Sequence, residues 1–497
     1  MTNDKTGTVP EPELVDLAGI GVGPFNLALA ALAEPVSGLR AAFLDDKTEF
    51  SWHPGMMVEG ATLQVPFLAD LVSLVDPTSR HSYLAWLRDT GRLFGFYFSE
   101  QWHVPRREYE AYCRSVAVSL PSCRFASRVT AVHPVRLPDA RDGFAVSSLN
   151  PGSHTPTRTL LTPNLVLAIG TEPFIPCPLA NLGAIHSAHY LDRLEYIRSA
   201  DDVTVLGSGQ SGAEVVLDLL RSWHRPGRRL RWITRSAAFE PMEYSKLGLE
   251  HFTPDYTDHF HRLAEPARDD LVAAQSRLYK AVSAETLAEI RAELDTRAFP
   301  DGITSTGVTL MPGAEAVTGH RTADSLTLTF QHRHTAERFT VHTERLILAT
   351  GYAPRRPDFL AALDPLAKHD AAGRWVVDRD HRVRLNGTRA RLFVQNAELH
   401  THGVGVPDLG LGAYRAATIL RAVIGRSVYP LPSRTAHTAF APAVAAAADP
   451  GIALTTEEFG HDIRQHGHLG GPRPAPDYAD TDADPDALCR AAPGRAH

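Results

Sequence analysis

Two glycine-rich turns, far apart in a chain of 497 residues, constrain the fold more than any other feature. The first lies in DLAGIGVGPFNLALAALAEP (16–35) and the second in DDVTVLGSGQSGAEVVLDLL (201–220). In each, a short apolar run precedes the glycines and a longer apolar run follows, which predicts a strand, a tight turn and a helix. Glycines let backbone N–H groups approach a pyrophosphate at the helix N-terminus. We therefore predict an α/β fold with two Rossmann-like dinucleotide-binding domains.

The first turn carries Asn26 where a third glycine is usual, after Gly21 and Gly23. We expect a strand over 14–20 and a helix that begins at Asn26. The next apolar run, LRAAFLDDK, ends in Asp45. A carboxylate ~20 residues after the glycines accepts hydrogen bonds from a free ribose hydroxyl, so this first site is predicted to be FAD-like.

The second turn, GSGQSG, follows an expected strand over 203–206, and the run after it, RRLRWITRS, contains no acid and supplies Arg235 instead. An arginine at this place accommodates a 2′-phosphate, which predicts an NADPH-like site. The alternative is that Arg235 is an ordinary solvated surface arginine.

The order of the two glycine turns and of the apolar strands that follow them predicts that the second domain is inserted into the first. LVLAIGTEPFIP (165–176) follows the first turn and RLILATGYAPRRP (345–357) follows the second, and each indicates a strand returning beneath a dinucleotide site. Within the insert, RDDLVAAQSRLYKAVSAETLAEIRAEL predicts two helices. The expected units are a loose N-terminus (1–13), an FAD domain (14–198 and 345–425), an NADPH domain with a helical substrate region (199–344), and a C-terminal extension (426–497) that is disordered from about residue 469.

Composition excludes several classes of protein. The formal charge of −7 and the pI near 6.4 leave no basic footprint for nucleic acid. Acidic residues precede the apolar segment 16–35, which argues against a signal peptide, and its Gly-Pro and Asn26 interrupt a run already short for a membrane span. Four widely spaced cysteines favour a reduced protein of the cytoplasm, with no membrane partner.

Five stretches in order resemble the microbial N-hydroxylating flavin monooxygenases, the lysine, ornithine and diamine N-hydroxylases of siderophore synthesis. They are IGVGPFNLALAAL, FSWHPGMMVEGATLQVPFLADLVSLVDPTS, FTPDYTDHFH, LATGY and ELHTHGVGVPDLGLGAYRAATI. The resemblance extends from about Leu14 to about Arg426, and in this family asparagine occupies the third glycine position, as Asn26 does here.

The resemblance implies roles for individual residues. FAD is expected along Gly21, Gly23, Asn26, Asp45, Trp52, His53, Gln64 (beside the flavin ring), Val129 (a backbone contact to the adenine end), and Pro407, Asp408 and Leu409, which close over the flavin. NADPH is expected along Gly207, Ser208, Gly209, Gln210, Ser211, Gly212 and Arg235.

The resemblance also implies a mechanism in which no side chain is a nucleophile. NADPH reduces FAD, oxygen forms a C4a-hydroperoxyflavin, and a neutral amine attacks its distal oxygen. A free alkylammonium has a pKa of ~10.4, so a partly desolvated pocket is needed to supply the neutral amine. The family is usually oligomeric, which implies a homo-oligomer, a dimer or a tetramer.

Other functions share parts of these sequence patterns. His400, His402, His461, His466 and His468 invite a metal site, but no carboxylate or cysteine spacing completes one, so no metal is expected. A pyridine nucleotide–disulfide reductase would need a close cysteine pair after the first turn. A Baeyer–Villiger or sulfur-oxidising monooxygenase would share both turns but lack LQVPFLADLVSL and HTHGVG. A non-catalytic nucleotide sensor would need only one intact site.

Departures from the family bear on the substrate. Amino-acid N-hydroxylases place a lysine, an asparagine and a serine where this chain has Ala69, Leu249 and, on a gapless alignment, Gly410. The loss of these polar groups predicts a substrate without a carboxylate, a diamine such as cadaverine or putrescine. Glu243 or Glu250 is the expected acceptor for its distal ammonium. The rival is L-lysine or L-ornithine, with Lys246 or Lys280 replacing the lost partner.

Overall fold

The structure is a computed structural model that describes residues 11–150, 158–223, 227–323 and 325–442. The tail beyond residue 442, with His461, His466 and His468, lies outside the described residues, as do the first ten residues. The predictions of a disordered tail and of a loose extreme N-terminus therefore stay predictions.

A six-stranded sheet forms the first dinucleotide domain. Its strands, in spatial order, are Arg382–Val383, Arg391–Val394, Asn164–Leu167, Leu17–Ile20, Ala41–Leu44 and Cys123–Arg124. All adjacent pairs are parallel except the first. The central strand Leu17–Ile20 is fully buried, as expected for a strand covered on both faces. Three helices, Pro24–Ala33, Arg106–Ser119 and Gly412–Ile424, cover one face of the sheet.

A small sheet covers the other face of this domain. It contains Glu13–Leu14, Arg158–Thr162, Asp142–Leu149 and Arg128–Arg136 in that order. Glu13 and Leu14 pair with Leu160 and Leu161, so order begins before the expected boundary at residue 14. The predicted strand over 14–20 is interrupted at Val15 and Asp16, because residues 13–14 and 17–20 join different sheets.

A five-stranded parallel sheet forms the second domain. Its order is Ile185–His186, Arg345–Leu348, Asp202–Leu206, Arg229–Ile233 and Val308–Met311. The helices Gln210–Ser222 and Ala284–Ala298 pack together on it. The α/β class with two dinucleotide-binding units is therefore confirmed.

The boundaries of the second domain differ from those expected at 199 and 345. Ile185–His186 and Arg345–Leu348 both pair into the second sheet, although the sequence placed both in the FAD domain. The chain crosses between the domains through an antiparallel ribbon of Thr171–Pro173 and Tyr352–Pro354. The strand Arg345–Leu348 returns beneath the second turn and therefore lies beside Asp202–Leu206. The C-terminal boundary of the second domain consequently lies after residue 348.

The remaining elements complete the second domain and the substrate region. A three-stranded antiparallel sheet contains Ala314–Arg321, Leu326–His332 and Arg338–Thr343. Shorter helices are Tyr83–Asp89, Leu93–Ser99, Leu194–Arg198, Pro254–Arg262, Glu265–Ala274 and Leu399–His402. Glu265–Ala274 and Ala284–Ala298 are the two helices predicted in the insert. Within the described part of the chain, no helix has the length and apolar character needed to cross a membrane.

The C-terminal extension docks on the body as far as it is described. The Tyr429 hydroxyl donates to the Leu32 carbonyl (2.8 Å), and the backbone N–H groups of His437 and Thr438 donate to Glu250. Among the cysteines, Cys113 and Cys123 have free thiols, whereas Cys177 is disulfide-bonded.

Candidate active site

The two glycine turns have the same construction. Gly21 has φ +86°, and a Cβ there would lie 2.3 Å from the Ala168 carbonyl oxygen. Gly207 has φ +115°, and its Cβ would lie 2.1 Å from the Ala349 carbonyl oxygen. Ala168 and Ala349 each follow the returning strand that the sequence singled out. Each turn therefore requires glycine both for its backbone conformation and for its contact with that strand.

Asn26 stabilises the first turn at the position where the second turn has its third glycine, Gly212. A Cβ on Gly212 would lie 2.4 Å from the Gly207 carbonyl oxygen, so no side chain fits there. In the first turn the Asn26 amide instead donates to the Gly21 carbonyl (2.8 Å) and accepts from Gln395 Nε2 (2.8 Å). The buried asparagine thus ties the turn to its helix through hydrogen bonds.

One large cavity of about 2650 Å³ lies between the two turns. Drug-sized ligands occupy pockets of ~300–1,000 Å³, so this volume suits two dinucleotides. Its walls include fifteen of the residues that the resemblance assigned to the cofactors: Gly21, Gly23, Asp45, Trp52, His53, Gln64, Val129, Pro407, Leu409, Gly207, Ser208, Gly209, Gln210, Ser211 and Arg235. Asn26 and Gly212 lie behind the turns that they support.

The charges at the turns suit anionic ligands. The helices Pro24–Ala33 and Gln210–Ser222 begin at the cavity with no acidic residue in their first turns. Their free N–H groups and positive dipole ends therefore favour a phosphate. Asp45 accepts from the Val22 N–H (2.7 Å) within the first turn and keeps capacity for a ribose hydroxyl. Burial lowers the pKa of His53 to about 4, so its imidazole is neutral at physiological pH.

Gln64 has a buried amide group at the cavity wall that a bound flavin would satisfy. Its backbone carbonyl accepts from the Tyr244 hydroxyl (2.7 Å), which fixes the residue at the cavity wall. Its side-chain Nε2 is buried and has no partner among the described residues. A buried amide without a partner is costly, and a polar ring edge in the cavity would satisfy it.

Two of the three positions expected at the substrate lie together. Ala69 is buried, and a Cβ built on Gly410 would lie 3.8 Å from the Ala69 Cβ. The same point is 2.7 Å from Asp408 Oδ1, which accepts from the Gly410 N–H (2.7 Å). The Asp408 carboxylate therefore faces Gly410, while its neighbours Pro407 and Leu409 line the cavity. Leu249 lies half-buried in the short helical segment Gly248–Phe252.

The carboxylates of the expected acids, Glu243 and Glu250, each accept hydrogen bonds from backbone N–H groups. Glu243 is exposed and accepts from the Ser245 N–H (2.7 Å). The Glu250 carboxylate holds the extension through the His437 and Thr438 N–H groups (3.0 and 2.7 Å). Their roles as ammonium acceptors stay predictions, with both carboxylates already accepting from backbone N–H groups.

The two lysines of the rival hypothesis have different surroundings. Lys246 is exposed in the segment before Gly248–Phe252. Lys280 lines the cavity at the second turn, where its carbonyl oxygen lies 3.3 Å from a Cβ built on Gly209. Lys280 is therefore placed to meet the second nucleotide.

The histidines of ELHTHG make structural contacts. His400 Nε2 lies 2.9 Å from the Trp375 carbonyl oxygen, and the buried His402 stacks on His381 with ring centroids 4.2 Å apart. Within the described ranges, no group of three or more His, Cys, Asp or Glu residues has the geometry of a metal site.

Sequence reasoning missed several residues of the cavity wall. Arg106 lies there and forms a bidentate ion pair with Glu214 (2.6 and 2.9 Å), which joins the first domain to the second. Tyr352 lies between His53 and His186, with ring centroids 5.9 and 5.2 Å away. LATGY signalled Tyr352, but no motif marked Arg106, whose partner lies far along the chain.

Comparison with known proteins identifies the family. The model of the L-lysine 6-monooxygenase/L-ornithine 5-monooxygenase family matches residues 13–354. The putrescine N-hydroxylase of Shewanella oneidensis is 41% identical over 442 residues, which are 88% of this chain and 86% of that protein. The chain belongs to this family. The prediction of an N-hydroxylating flavin monooxygenase is therefore confirmed.

Two solved structures of the family agree with the fold and the cofactors. The FAD-bound cadaverine monooxygenase of Erwinia amylovora is 38% identical, with a TM-score of 0.82 over 86% of this chain and 98% of that one. The ornithine N-hydroxylase of Kutzneria sp. 744, solved with reduced FAD, NADP+ and L-ornithine, is 28% identical, with a TM-score of 0.77 over 83% and 99%. The cofactor prediction, FAD and NADPH, is confirmed.

Arg235 gives a first prediction about cofactor choice. It is exposed at the cavity, just past the strand Arg229–Ile233. Because a guanidinium pairs with a phosphate through two hydrogen bonds, we expect Arg235→Ala to raise the KM for NADPH ~10-fold or more. The KM for NADH should stay nearly constant. Steady-state kinetics with both cofactors measures this.

The matched control is Arg229→Ala, which removes an exposed arginine of the same strand that pairs with Asp202 (2.9 Å). It should leave the preference for NADPH over NADH unchanged. Equal losses with NADPH and NADH in Arg235→Ala would show that Arg235 has no role at the 2′-phosphate.

Proposed function

We propose that the chain N-hydroxylates one terminal amine of a small aliphatic diamine, cadaverine or putrescine, with FAD, NADPH and O2, for a hydroxamate siderophore. The observation that carries this proposal is the proximity of Ala69 to Gly410, where a side chain on residue 410 would reach within 3.8 Å of the Ala69 Cβ. The amino-acid hydroxylases that the chain resembles have polar groups at both positions. The alternative is N-hydroxylation of the side chain of L-lysine or L-ornithine.

The argument against an amino acid is energetic. A substrate carboxylate beside the buried Ala69 would meet a methyl group and the Asp408 carboxylate. Leaving one charge of a buried pair without its partner costs about 3–5 kcal/mol. Lys246 is exposed and Lys280 lines the cavity at the second turn, so neither is recorded as a partner for a carboxylate beside Ala69. A diamine avoids this cost because it has no carboxylate.

Asp408 is a third candidate, beside Glu243 and Glu250, for the acid that holds the distal ammonium. Burial raises the pKa of Asp408 to about 6, so its carboxyl remains ionised at neutral pH. An alkylammonium keeps its proton up to ~10.4 in water, so the far end of a diamine arrives charged. The carboxylate would hold that end and leave the other amine free to react.

The reacting amine must be neutral, and the chain assists by burial rather than by a base. Ala69 is buried, and the Tyr244 hydroxyl donates to the carbonyl of Gln64 at the cavity wall. Desolvation of this kind lowers the pKa of an ammonium. When bound, the reduced flavin supplies activated oxygen. The residues around it position the amine and exclude water.

The similarities favour diamines over amino acids. The relatives named for putrescine and cadaverine are 41% and 38% identical to the chain, whereas the ornithine enzyme is 28% identical. The test is incubation with NADPH, O2 and each diamine, followed by mass detection of the N-hydroxylated product. Absence of that product from both diamines would reject the proposal.

We also propose that the enzyme acts in the cytoplasm as a homo-oligomer, a dimer or a tetramer. Four large aromatic side chains are more than three-fifths exposed on and after the helix Leu93–Ser99: Phe94, Tyr97, Phe98 and Trp102. Such a patch is typical of a protein interface. Sedimentation that shows only monomer at micromolar concentration would contradict the oligomer.

A further inference from the structure

Arg415 is a buried cation to which the sequence assigned no role. It lies in the helix Gly412–Ile424, which packs on the helix Pro24–Ala33 of the first turn, and its side chain is only 3% exposed. Its carboxylate partner is Glu398, which is 0% exposed, with Oε1 3.5 Å from Arg415 Nε. His381 Nδ1 lies 3.1 Å from the same oxygen, and the Ala397 N–H donates to Glu398 Oε2 (2.7 Å).

The guanidinium connects the two walls of the flavin site. Arg415 Nη2 donates to the carbonyl oxygens of Val406 (2.6 Å) and Gly405 (3.3 Å). These residues directly precede Pro407 and Leu409, which line the cavity. On its other side the guanidinium carbon lies 4.6 Å from the ring centroid of Phe25, which lines the cavity beside Gly23.

The buried pair of Arg415 and Glu398 is not explained by its contribution to stability alone. Burying a carboxylate and a guanidinium costs desolvation energy that their attraction does not always recover. Arg415 Nη1 is buried and has no partner among the described residues, so the guanidinium is incompletely satisfied. The fork of Arg415 does supply a fixed geometry between the segment 405–409 and Phe25.

We propose that Arg415, held by Glu398, is a positioning residue that fixes the segment 405–409 against Phe25 and so closes the flavin site to water. The inference rests on the proposed function, since exclusion of water matters where oxygen is activated to hydroxylate an amine. In coupled turnover, amine, NADPH, H+ and O2 give hydroxylamine, NADP+ and water. When closure fails, NADPH, H+ and O2 give NADP+ and hydrogen peroxide, and the amine is unchanged.

The main test removes both charges in the double variant Arg415→Met/Glu398→Gln, which preserves side-chain volume. Two quantities are measured: FAD affinity, by fluorescence titration of the apoprotein, and the moles of hydroxylamine formed per mole of NADPH oxidised. A misplacement of about 1 Å can cost ~100-fold, so we expect FAD binding at least ~10-fold weaker and a clear fall in the product ratio. Wild-type values for both quantities would overturn the proposal.

A second variant covers the case in which the double variant does not fold. Arg415→Lys keeps a charge beside Glu398 but lacks the fork that reaches Gly405 and Val406. It should lower the product ratio with little change in Tm, and an unchanged ratio overturns the proposal. The control is Arg421→Ala on the same helix, which removes an exposed pair with Asp380 (3.0 Å) and should match the wild type.

The outcome separates this inference from the proposed function. The product ratio is measured with whichever amine the wild-type enzyme hydroxylates. Preference for L-lysine would reject the diamine, whereas the ratio and the FAD titration would still test Arg415.

Discussion

Gly21→Ala should abolish FAD binding and destabilise the apoprotein. Its φ of +86° is unfavourable for an L-residue by ~1–2 kcal/mol, before any contact is counted. The added methyl would also lie 2.3 Å from the Ala168 carbonyl oxygen, which belongs to rigid backbone after the strand Asn164–Leu167. The turn or the returning strand must therefore move. We expect a colourless purified protein and a lower apoprotein Tm.

Gly23→Ala is the matched control two residues away. Gly23 has φ −87°, and a Cβ there has no neighbour within 4 Å. The apoprotein should keep its Tm, because the protein itself has room for the methyl. The methyl would instead occupy the space through which a pyrophosphate approaches the helix, so FAD binding should weaken ~10-fold or more. Unchanged FAD affinity in Gly23→Ala would show that the cofactor does not lie against this turn.

Glu214→Ala should have the second largest effect, on stability. Glu214 and Arg106 are 6% and 13% exposed and form two hydrogen bonds across the domain boundary. Without the carboxylate, the buried guanidinium of Arg106 keeps the Met56 carbonyl (2.8 Å) as its acceptor among the described residues. Removing one member of a buried pair costs about 3–5 kcal/mol. Chemical denaturation of the apoprotein measures this change in free energy of unfolding.

Asp295→Ala provides the comparison for an exposed pair. Asp295 and Arg291 face each other on the helix Ala284–Ala298 and are 60% and 75% exposed. Exposed pairs contribute little, so this variant should leave the unfolding curve unchanged. Similar curves for Glu214→Ala and Asp295→Ala would contradict the view that the Arg106–Glu214 pair joins the domains.

The sequence predicted best where the physical cause is local. Gly21, Gly207 and Asp45 each act within one strand–turn–helix unit, so spacing alone locates them. The boundary at residue 345 could not be placed in this way, since an apolar strand such as Arg345–Leu348 suits either parallel sheet. Only its pairing with Asp202–Leu206 decides which sheet it joins.

The sequence alone could not predict the roles of side chains whose partners lie far along the chain. Glu250 is an acidic residue in a segment that the sequence places near the substrate. In the structure its carboxylate accepts from the backbone N–H groups of His437 and Thr438, near the end of the described chain. Asp408 was assigned to the flavin because it lies between Pro407 and Leu409. The orientation of its carboxylate toward Gly410 depends on the turn before the helix Gly412–Ile424, where it accepts from the Gly410 N–H.

The central claim is that the substrate site, which we place beside Ala69, Asp408 and Gly410 at the cavity wall of Pro407 and Leu409, accepts a diamine rather than an amino acid. The most direct test is kcat/KM for hydroxylamine formation with cadaverine, putrescine, L-lysine and L-ornithine under the same conditions. Product must be measured, because uncoupled turnover also consumes NADPH. We predict that at least one diamine exceeds both amino acids by ~100-fold or more, the rate equivalent of about 3 kcal/mol. Hydroxylation of L-lysine or L-ornithine more efficiently than both diamines would contradict the account.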